Sequence, residues 1–155
     1  MSLYLVRHGE AVAESQDPDR PLTSRGRGEV ERIARHVAGI APQLAEIRHS
    51  GKLRARQTAE ILAVHLSPLR GILEMEGLAP GDSLERAEAE AEAAREPLML
   101  VGHLPHLSRL TSLLLTGNPD REIVRFPSGA ILCLDRTQGE WFLQWVLTPE
   151  LYPTT

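Results

Sequence analysis

Two short segments of the sequence are apolar without interruption, LYLV at residues 3–6 and LMLV at residues 98–101. A strand that is buried on only one face alternates apolar and polar residues, so unbroken runs of this length predict strands that are buried on both faces. Such strands are typical of parallel sheets that are covered by helices on each side. We therefore expect an α/β fold.

Helical patterns separate the predicted strands. The segment 24–39 places Val30, Ile33, Ala34 and Val37 on one helical face. The further predicted elements are, in chain order, a strand at 45–49, a helix capped by Ser50, a helix at 83–95 with a capping box formed by Asp82 and Glu85, a helix that starts at Pro105, and two late strands in AILCLD and WFLQWVL. Together these elements predict a three-layer α/β/α fold whose central sheet is mostly parallel, with antiparallel strands added at the end.

Length and composition limit the possible functions. The 155 residues suit one domain, spanning 1–155, and contain no linker or repeat. The formal net charge of -4 gives no electrostatic reason to expect nucleic acid or an anionic membrane as a partner. The sequence shows neither a signal-peptide pattern nor an apolar run long enough to span a membrane. Its one cysteine, Cys133, lies in an apolar run and is expected to be a buried thiol. We therefore expect a reducing, cytoplasmic location. These features do not predict an oligomeric state.

Charged side chains follow several of the predicted strands. Arg7 and His8 end the first strand, Arg54 lies in the turn after the strand at 45–49, and His103 follows LMLVG. Because ligand sites form at the carboxyl ends of parallel strands, we expect these residues to converge. Guanidinium groups match phosphate oxygens in pairs, so the set predicts a phosphate site. A neutral histidine in that site would present a lone pair to phosphorus.

Four blocks of the sequence resemble, in order, those of the histidine phosphatase superfamily, the phosphoglycerate-mutase-like group: LVRHGEA, RPLTSRGRGEVERIA, HSGKLRARQTAE and LVGHLPHLSRLTSLLL. The short chain and its LAPGDS segment are most similar to the SixA-type phosphohistidine phosphatase branch. The resemblance implies a phosphoglycerate-mutase-like fold and a phosphatase without metal or cofactor, in which His8 is phosphorylated and then hydrolysed. Arg7, Arg54 and His103 would hold the phosphoryl group, and Gly9 would join the phosphate site and let the backbone turn tightly beside the nucleophile.

Three neighbouring residues leave alternatives open. Arg56 lies two residues after Arg54 and competes with it as the phosphate ligand, although Arg54 occupies the family's position before the alanine. His106 is expected either at the rim of the pocket or on the surface of its helix. Glu14 stands where mutase-like members tend to have an asparagine that contacts phosphate, and because a carboxylate there would repel phosphate, we expect it to point away.

The nature of the substrate depends on a possible general acid. In larger relatives an acidic residue on an insertion protonates the leaving oxygen, but here the connection LEMEGLAPGDS is short and neither Glu76 nor Asp82 stands out as that acid. A phosphorylated imidazole that is protonated on its other nitrogen leaves as a neutral ring and needs less acid assistance. We therefore favour a phosphatase that acts on phosphohistidine in a phosphorylated protein domain. The alternatives are a small-molecule phosphomonoesterase or mutase-like enzyme, which acts on a small phosphoester, and a non-enzymatic phosphate-binding module.

Overall fold

The computed structural model describes residues 1–151, so the last four residues of the predicted domain, 152–155, lie outside the described residues. The elements are β1 (Ser2–Arg7), α1 (Ser24–Ala38), β2 (Glu46–His49), α2 (Leu53–Leu66), β3 (Ile72–Glu74), α3 (Glu85–Ala93), β4 (Leu98–Gly102), α4 (His106–Thr116), β5 (Ile131–Thr137), β6 (Glu140–Leu147) and a 3-10 turn (Pro149–Leu151). Within residues 1–151 no helix is both long and apolar enough to cross a membrane.

The strands form one sheet in the order β3-β2-β4-β1-β5-β6. The first four strands in this order are parallel to one another, and β5 and β6 are antiparallel additions beside β1. Helices α1 and α2 pack on one face of the sheet, while α3 and α4 pack on the other. The prediction of three layers around a mostly parallel sheet is confirmed.

The two faces of β1 explain its unbroken apolar sequence. Leu3 and Leu5 point into the core on the α3 and α4 side, whereas Tyr4 and Val6 point into the core beneath α1 and α2. All four side chains are at most 1% exposed. Full burial of one such side chain contributes about 1.5–3 kcal/mol, so both faces of this strand hold the layers together.

Two of the predicted helix caps are wrong. Helix α2 starts at Leu53 with Lys52 in the N-cap position, and the hydroxyl of Ser50 is used elsewhere. Helix α3 starts after Leu84, and the Asp82 carboxylate accepts a hydrogen bond from the backbone N–H of Ala79, 2.9 Å away, instead of capping the helix. Serine and aspartate side chains bond readily to any nearby backbone or polar group, so a capping pattern identifies a helix start only loosely.

Candidate active site

The parallel register of the sheet brings two distant histidines together. Arg7 is paired with Gly102 across β1 and β4, so the residues that follow them, His8 and His103, leave the sheet side by side. The backbone N–H of His8 donates to the carbonyl of Gly102 over 3.1 Å. The centroids of the two imidazole rings are 5.0 Å apart. The expected convergence of residues at the carboxyl ends of the strands is thus present.

The His8 ring is held in one tautomer. Its Nδ1 lies 2.7 Å from the carbonyl oxygen of Gly9, and because a carbonyl only accepts, the proton must be on Nδ1. The neutral ring then carries its lone pair on Nε2. The ring is 7% exposed. This arrangement presents one basic nitrogen to the site.

Burial and neighbouring positive charges keep His8 neutral. Burial makes the largest contribution and lowers the pKa of His8 to about 4, against the opposing effect of the Gly9 carbonyl. The charges of Arg54, Arg7 and Arg20 lower this pKa further. Three guanidinium groups are therefore near enough to disfavour a charge on the ring, and at neutral pH the ring itself is uncharged.

Two of these arginines were predicted from the sequence. Arg7, half-buried at the end of β1, donates from one terminal nitrogen to the Phe126 carbonyl, 2.7 Å away. Arg54 is half-buried in the first turn of α2. The Nε atoms of both are inaccessible and have no hydrogen-bond partner in the described part of the chain. The competing Arg56 is exposed and pairs with Glu60 over 3.1 Å, so its guanidinium is engaged on the outer face of α2.

Arg20 is a third arginine of the site that the sequence analysis did not single out. It lies in the loop between β1 and α1, where its backbone has a φ of 49° and its Nε donates to the Val12 carbonyl over 3.0 Å. Its charge lowers the pKa values of His8, Arg7 and Arg54. Its one sequence signal is that it is the first residue of RPLTSRGRGEVERIA, one of the four blocks that resemble the family.

His103 is more deeply buried than His8, with 1% of its surface exposed. Its Nε2 and the Ser50 hydroxyl are hydrogen-bonded at 2.6 Å, while its Nδ1 has no partner within residues 1–151. Its pKa is lowered to about 3, mainly by burial. The charges of His8, Arg54 and Lys52 also lower it. Ser50 was predicted as a helix cap, but the structure makes it the partner of this histidine.

Two clefts adjoin the segment at residues 50–54. The basic cleft, of about 660 Å³, is lined by Glu14, Pro18, Asp19, Arg20, Gly51, Lys52, Leu53 and Arg54. Glu14 lines this cleft, contrary to the expectation that it points away, and its charge raises the pKa of Arg54.

The acidic cleft, of about 490 Å³, is lined by Ser50, Glu76, Gly77, Asp82, Ser83, Glu85 and Arg86. Both candidate acids, Glu76 and Asp82, thus lie on the Ser50 side of the site.

A family model for the histidine phosphatase superfamily, branch 1, matches residues 3–79. The chain is 35% identical to an uncharacterized protein of Picosynechococcus sp., over 95% of this chain and 99% of that protein. The chain belongs to the histidine phosphatase superfamily. It is also 26% identical to the phosphohistidine phosphatase SixA of Escherichia coli, over 96% of this chain and 94% of that protein.

The fold agrees with this assignment. The structure of the protein histidine phosphatase SixA complexed with tungstate matches with a TM-score of 0.86 at 24% identity, over 97% of this chain and 99% of that chain. The expected phosphoglycerate-mutase-like fold is confirmed. Membership of the histidine phosphatase superfamily supports a phosphatase activity.

Gly9 of this superfamily member differs from expectation. Its N–H donates to Thr58 Oγ1 over 3.0 Å and its carbonyl accepts from His8, so neither backbone group is free to bind phosphate. A Cβ at this position would lie 2.8 Å from a methyl group of Val30, and the backbone φ is outside the left-handed region. Glycine is therefore needed for the close approach of α1, rather than for a tight turn.

Proposed function

We propose that this protein is a phosphohistidine phosphatase in which His8 is the nucleophile. The observation that carries the proposal is the hydrogen bond from His8 Nδ1 to the Gly9 carbonyl, because it leaves the lone pair on Nε2 of a ring whose pKa is also lowered by the charges of Arg54, Arg7 and Arg20. A neutral imidazole in a cationic surrounding is suited to attack a dianionic phosphoryl group, which the arginines attract and orient.

In the first step the His8 Nε2 lone pair forms a bond to phosphorus, and the bond from phosphorus to the leaving atom breaks with its electron pair. During transfer, negative charge is spread over the three equatorial oxygens of the phosphoryl group. Arg7, Arg20 and Arg54 would bind these oxygens, with His103 beside them. We keep Arg7, Arg54 and His103 in the roles that the resemblance implies and add Arg20 on the basis of its position.

In the second step water attacks phosphorus and the bond to His8 breaks. Because His8 retains the proton on Nδ1, the phosphorylated ring is cationic and leaves as neutral imidazole without an added proton. While His8 is phosphorylated, the Gly9 carbonyl stabilises the positive charge of the ring. The water proton ends on inorganic phosphate or in solvent. No step requires a metal ion, since the arginines supply the positive charge.

The same chemistry favours phosphohistidine as the substrate. A protonated phosphoimidazole leaves as a neutral ring, whereas an alkoxide needs a proton from a general acid. Of the two candidate acids, Asp82 already accepts a hydrogen bond from Ala79. The sequence relative that bears the name phosphohistidine phosphatase, and the similar structure obtained with the oxyanion tungstate, support the proposal.

The first test is to trap the phosphoenzyme. We expect mass spectrometry after a brief reaction with a histidine-phosphorylated protein domain to find acid-labile phosphate on His8. His8→Ala should lose at least about a thousandfold in turnover, because removing a catalytic nucleophile costs several orders of magnitude. His65→Gln is the control, since His65 lies in the last turn of α2, away from Arg54 in the first turn, and pairs with Glu31. Near-normal turnover by His8→Ala would refute the proposal.

A small-molecule phosphomonoesterase is the second candidate. It is favoured by the position of Glu76, which is exposed in the cleft beside Ser50 and has no ion-pair partner within residues 1–151. If Glu76 is a general acid, Glu76→Gln should lower turnover of phosphomonoesters by about a hundredfold. Turnover of phosphomonoesters well above that of phosphohistidine proteins, together with this loss, would replace our proposal.

A further inference from the structure

We infer that the acidic cleft selects substrates whose leaving group carries a positive charge. The inference rests on the proposed function and specifies it further: a protonated phosphoimidazole, or another phosphorylated group with a cationic substituent, should be preferred to a phosphorylated compound that carries a carboxylate.

The acidic cleft adjoins the histidine pair. Ser50 forms part of its wall, and the hydroxyl of the same residue is bonded to His103 Nε2. The chain continues from Ser50 directly into the basic cleft, which is lined by Gly51, Arg54 and Arg20. A phosphoryl group bound among the arginines would therefore have its leaving group near Ser50, and the acidic cleft is the space available there.

The charge of this cleft is negative and is not compensated. Glu76, Asp82 and Glu85 contribute three carboxylates, none of which has an ion-pair partner among the described residues 1–151. The one cation of the lining, Arg86, is held by Glu90 on the next turn of α3, at 3.1 Å. Glu90 is in turn paired with Arg48 at 2.8 Å. Arg86 is thus occupied by a carboxylate outside the cleft.

The segments that carry these carboxylates are closely packed. Gly77, with a φ of 93°, lies so close to Arg86 that an added Cβ would be 2.7 Å from the Arg86 Cβ. Beneath the wall lies His106, which is 1% exposed and so is neither on the rim nor on the helix surface. Neither of its ring nitrogens has a well-aligned hydrogen-bond partner within residues 1–151. Burial lowers the pKa of His106, and the backbone of Ser83 and the charge of Asp82 oppose this lowering.

The chemistry of transfer explains why a cation fits. In a protonated phosphoimidazole the phosphorus–nitrogen bond breaks, its electron pair returns to the ring, and the ring's positive charge is neutralised. A carboxylate beside the ring keeps the reactive protonated form populated and accepts its N–H. A carboxylate on the leaving group would instead be repelled by three like charges. Each exposed charge pair changes a rate only a few-fold, so the combined effect should be about tenfold.

The test uses two pairs of phosphorylated compounds in which the members of a pair carry a side group of opposite charge, an ammonium in one and a carboxylate in the other. The first pair is phosphohistamine and the phosphorylated form of imidazole-propionate, and the second is phosphoethanolamine and phosphoglycolate. We expect kcat/KM for the cationic member to exceed that for the anionic member by about tenfold in whichever pair is turned over. High salt should reduce this ratio, because the charges are exposed.

Variants assign the effect to the cleft. The double substitution Glu76→Gln and Glu85→Gln should reduce the ratio to within about threefold. Glu140→Gln removes one negative charge at the start of β6, at the opposite end of the sheet, and should leave the ratio unchanged. A wild-type ratio near one, or a ratio that the double substitution leaves intact, would overturn the inference.

The two pairs also separate this inference from the proposed function. A preference for the phosphoesters over the phosphoimidazoles would refute the phosphohistidine proposal, yet the ratio within the ester pair would still test the charge selection. Absence of turnover with all four compounds would refute the inference, whereas the proposed function would be refuted only if a histidine-phosphorylated protein domain were not dephosphorylated either.

Discussion

At the scale of single residues, the protonation of His8 and His103 is the property on which the proposed chemistry depends. Burial lowers their pKa values to about 4 and about 3, so both rings should remain neutral from pH 5 upward. NMR titration of the imidazole protons should show these midpoints instead of the usual value of about 6.5. Saturating phosphate should raise both midpoints, since a dianion offsets the arginine charges. A midpoint near 6.5 for His8 in the free protein would contradict this.

The same pKa values predict how stability depends on pH. The unfolded chain binds a proton on each histidine below about pH 6.5, whereas the folded protein does so only near pH 4 for His8 and pH 3 for His103. The folded state therefore holds fewer protons in this window. Their contribution to the free energy of unfolding is fully present above pH 6.5 and should decrease as the pH falls toward 3.

Arg20 gives a second prediction at this scale. Arg20→Ala should lower kcat/KM by roughly tenfold to a hundredfold and weaken inhibition by inorganic phosphate, because one of three guanidinium groups is lost. Arg20→Lys should recover part of the activity. The control is Arg25→Ala, which removes an exposed arginine paired with Glu29 on α1. If Arg20→Ala matched Arg25→Ala in both measurements, Arg20 would have no role in phosphate binding.

At the scale of elements, the contact between α1 and the segment after β1 positions His8. An alanine at Gly26 would place its Cβ 2.9 Å from the backbone N of Glu10 and against the Glu10 carbonyl, which cannot move aside as a flexible side chain would. We expect Gly26→Ala to lower the free energy of unfolding by about 2 kcal/mol or more and to reduce activity.

Gly28, on the same helix, is the matched control for Gly26. The nearest atom to its added Cβ would be the end of the Arg32 side chain, 3.5 Å away. Gly28→Ala should therefore stabilise the protein by about 0.5–1 kcal/mol through helix propensity alone. Denaturant unfolding of both variants measures the difference, and equal effects would show that the approach of α1 to Glu10 is not tight.

At the scale of the whole molecule, positive charge reaches the site from four separate parts of the chain: β1, the loop before α1, the turn before α2, and α2 itself. We predict that a chelator leaves turnover unchanged, because these side chains supply the charge that a metal ion would otherwise provide. No group of three or more metal-binding side chains was found among residues 1–151. Loss of activity in chelator with recovery in magnesium would contradict the prediction.

The sequence by itself determined the α/β class and the motif around the proposed nucleophile, His8, because both depend on short segments. Unbroken runs such as LYLV require burial on both faces, and Arg7 and His8 follow one run directly. His103 follows another such run, so the parallel register was enough to bring the two histidines together.

Other features were decided by the tertiary structure alone. Ser50 satisfied a local capping pattern, but its partner His103 is 53 residues away and reaches it only because β4 lies between β1 and β2. Arg20 lies in a loop that has no periodic pattern, and only the folded path of that loop places it in the same cleft as Arg54. The negative charge of the acidic cleft likewise depends on the pairing of Arg86 with Glu90, since a sequence shows which charges are present but not which of them are already neutralised.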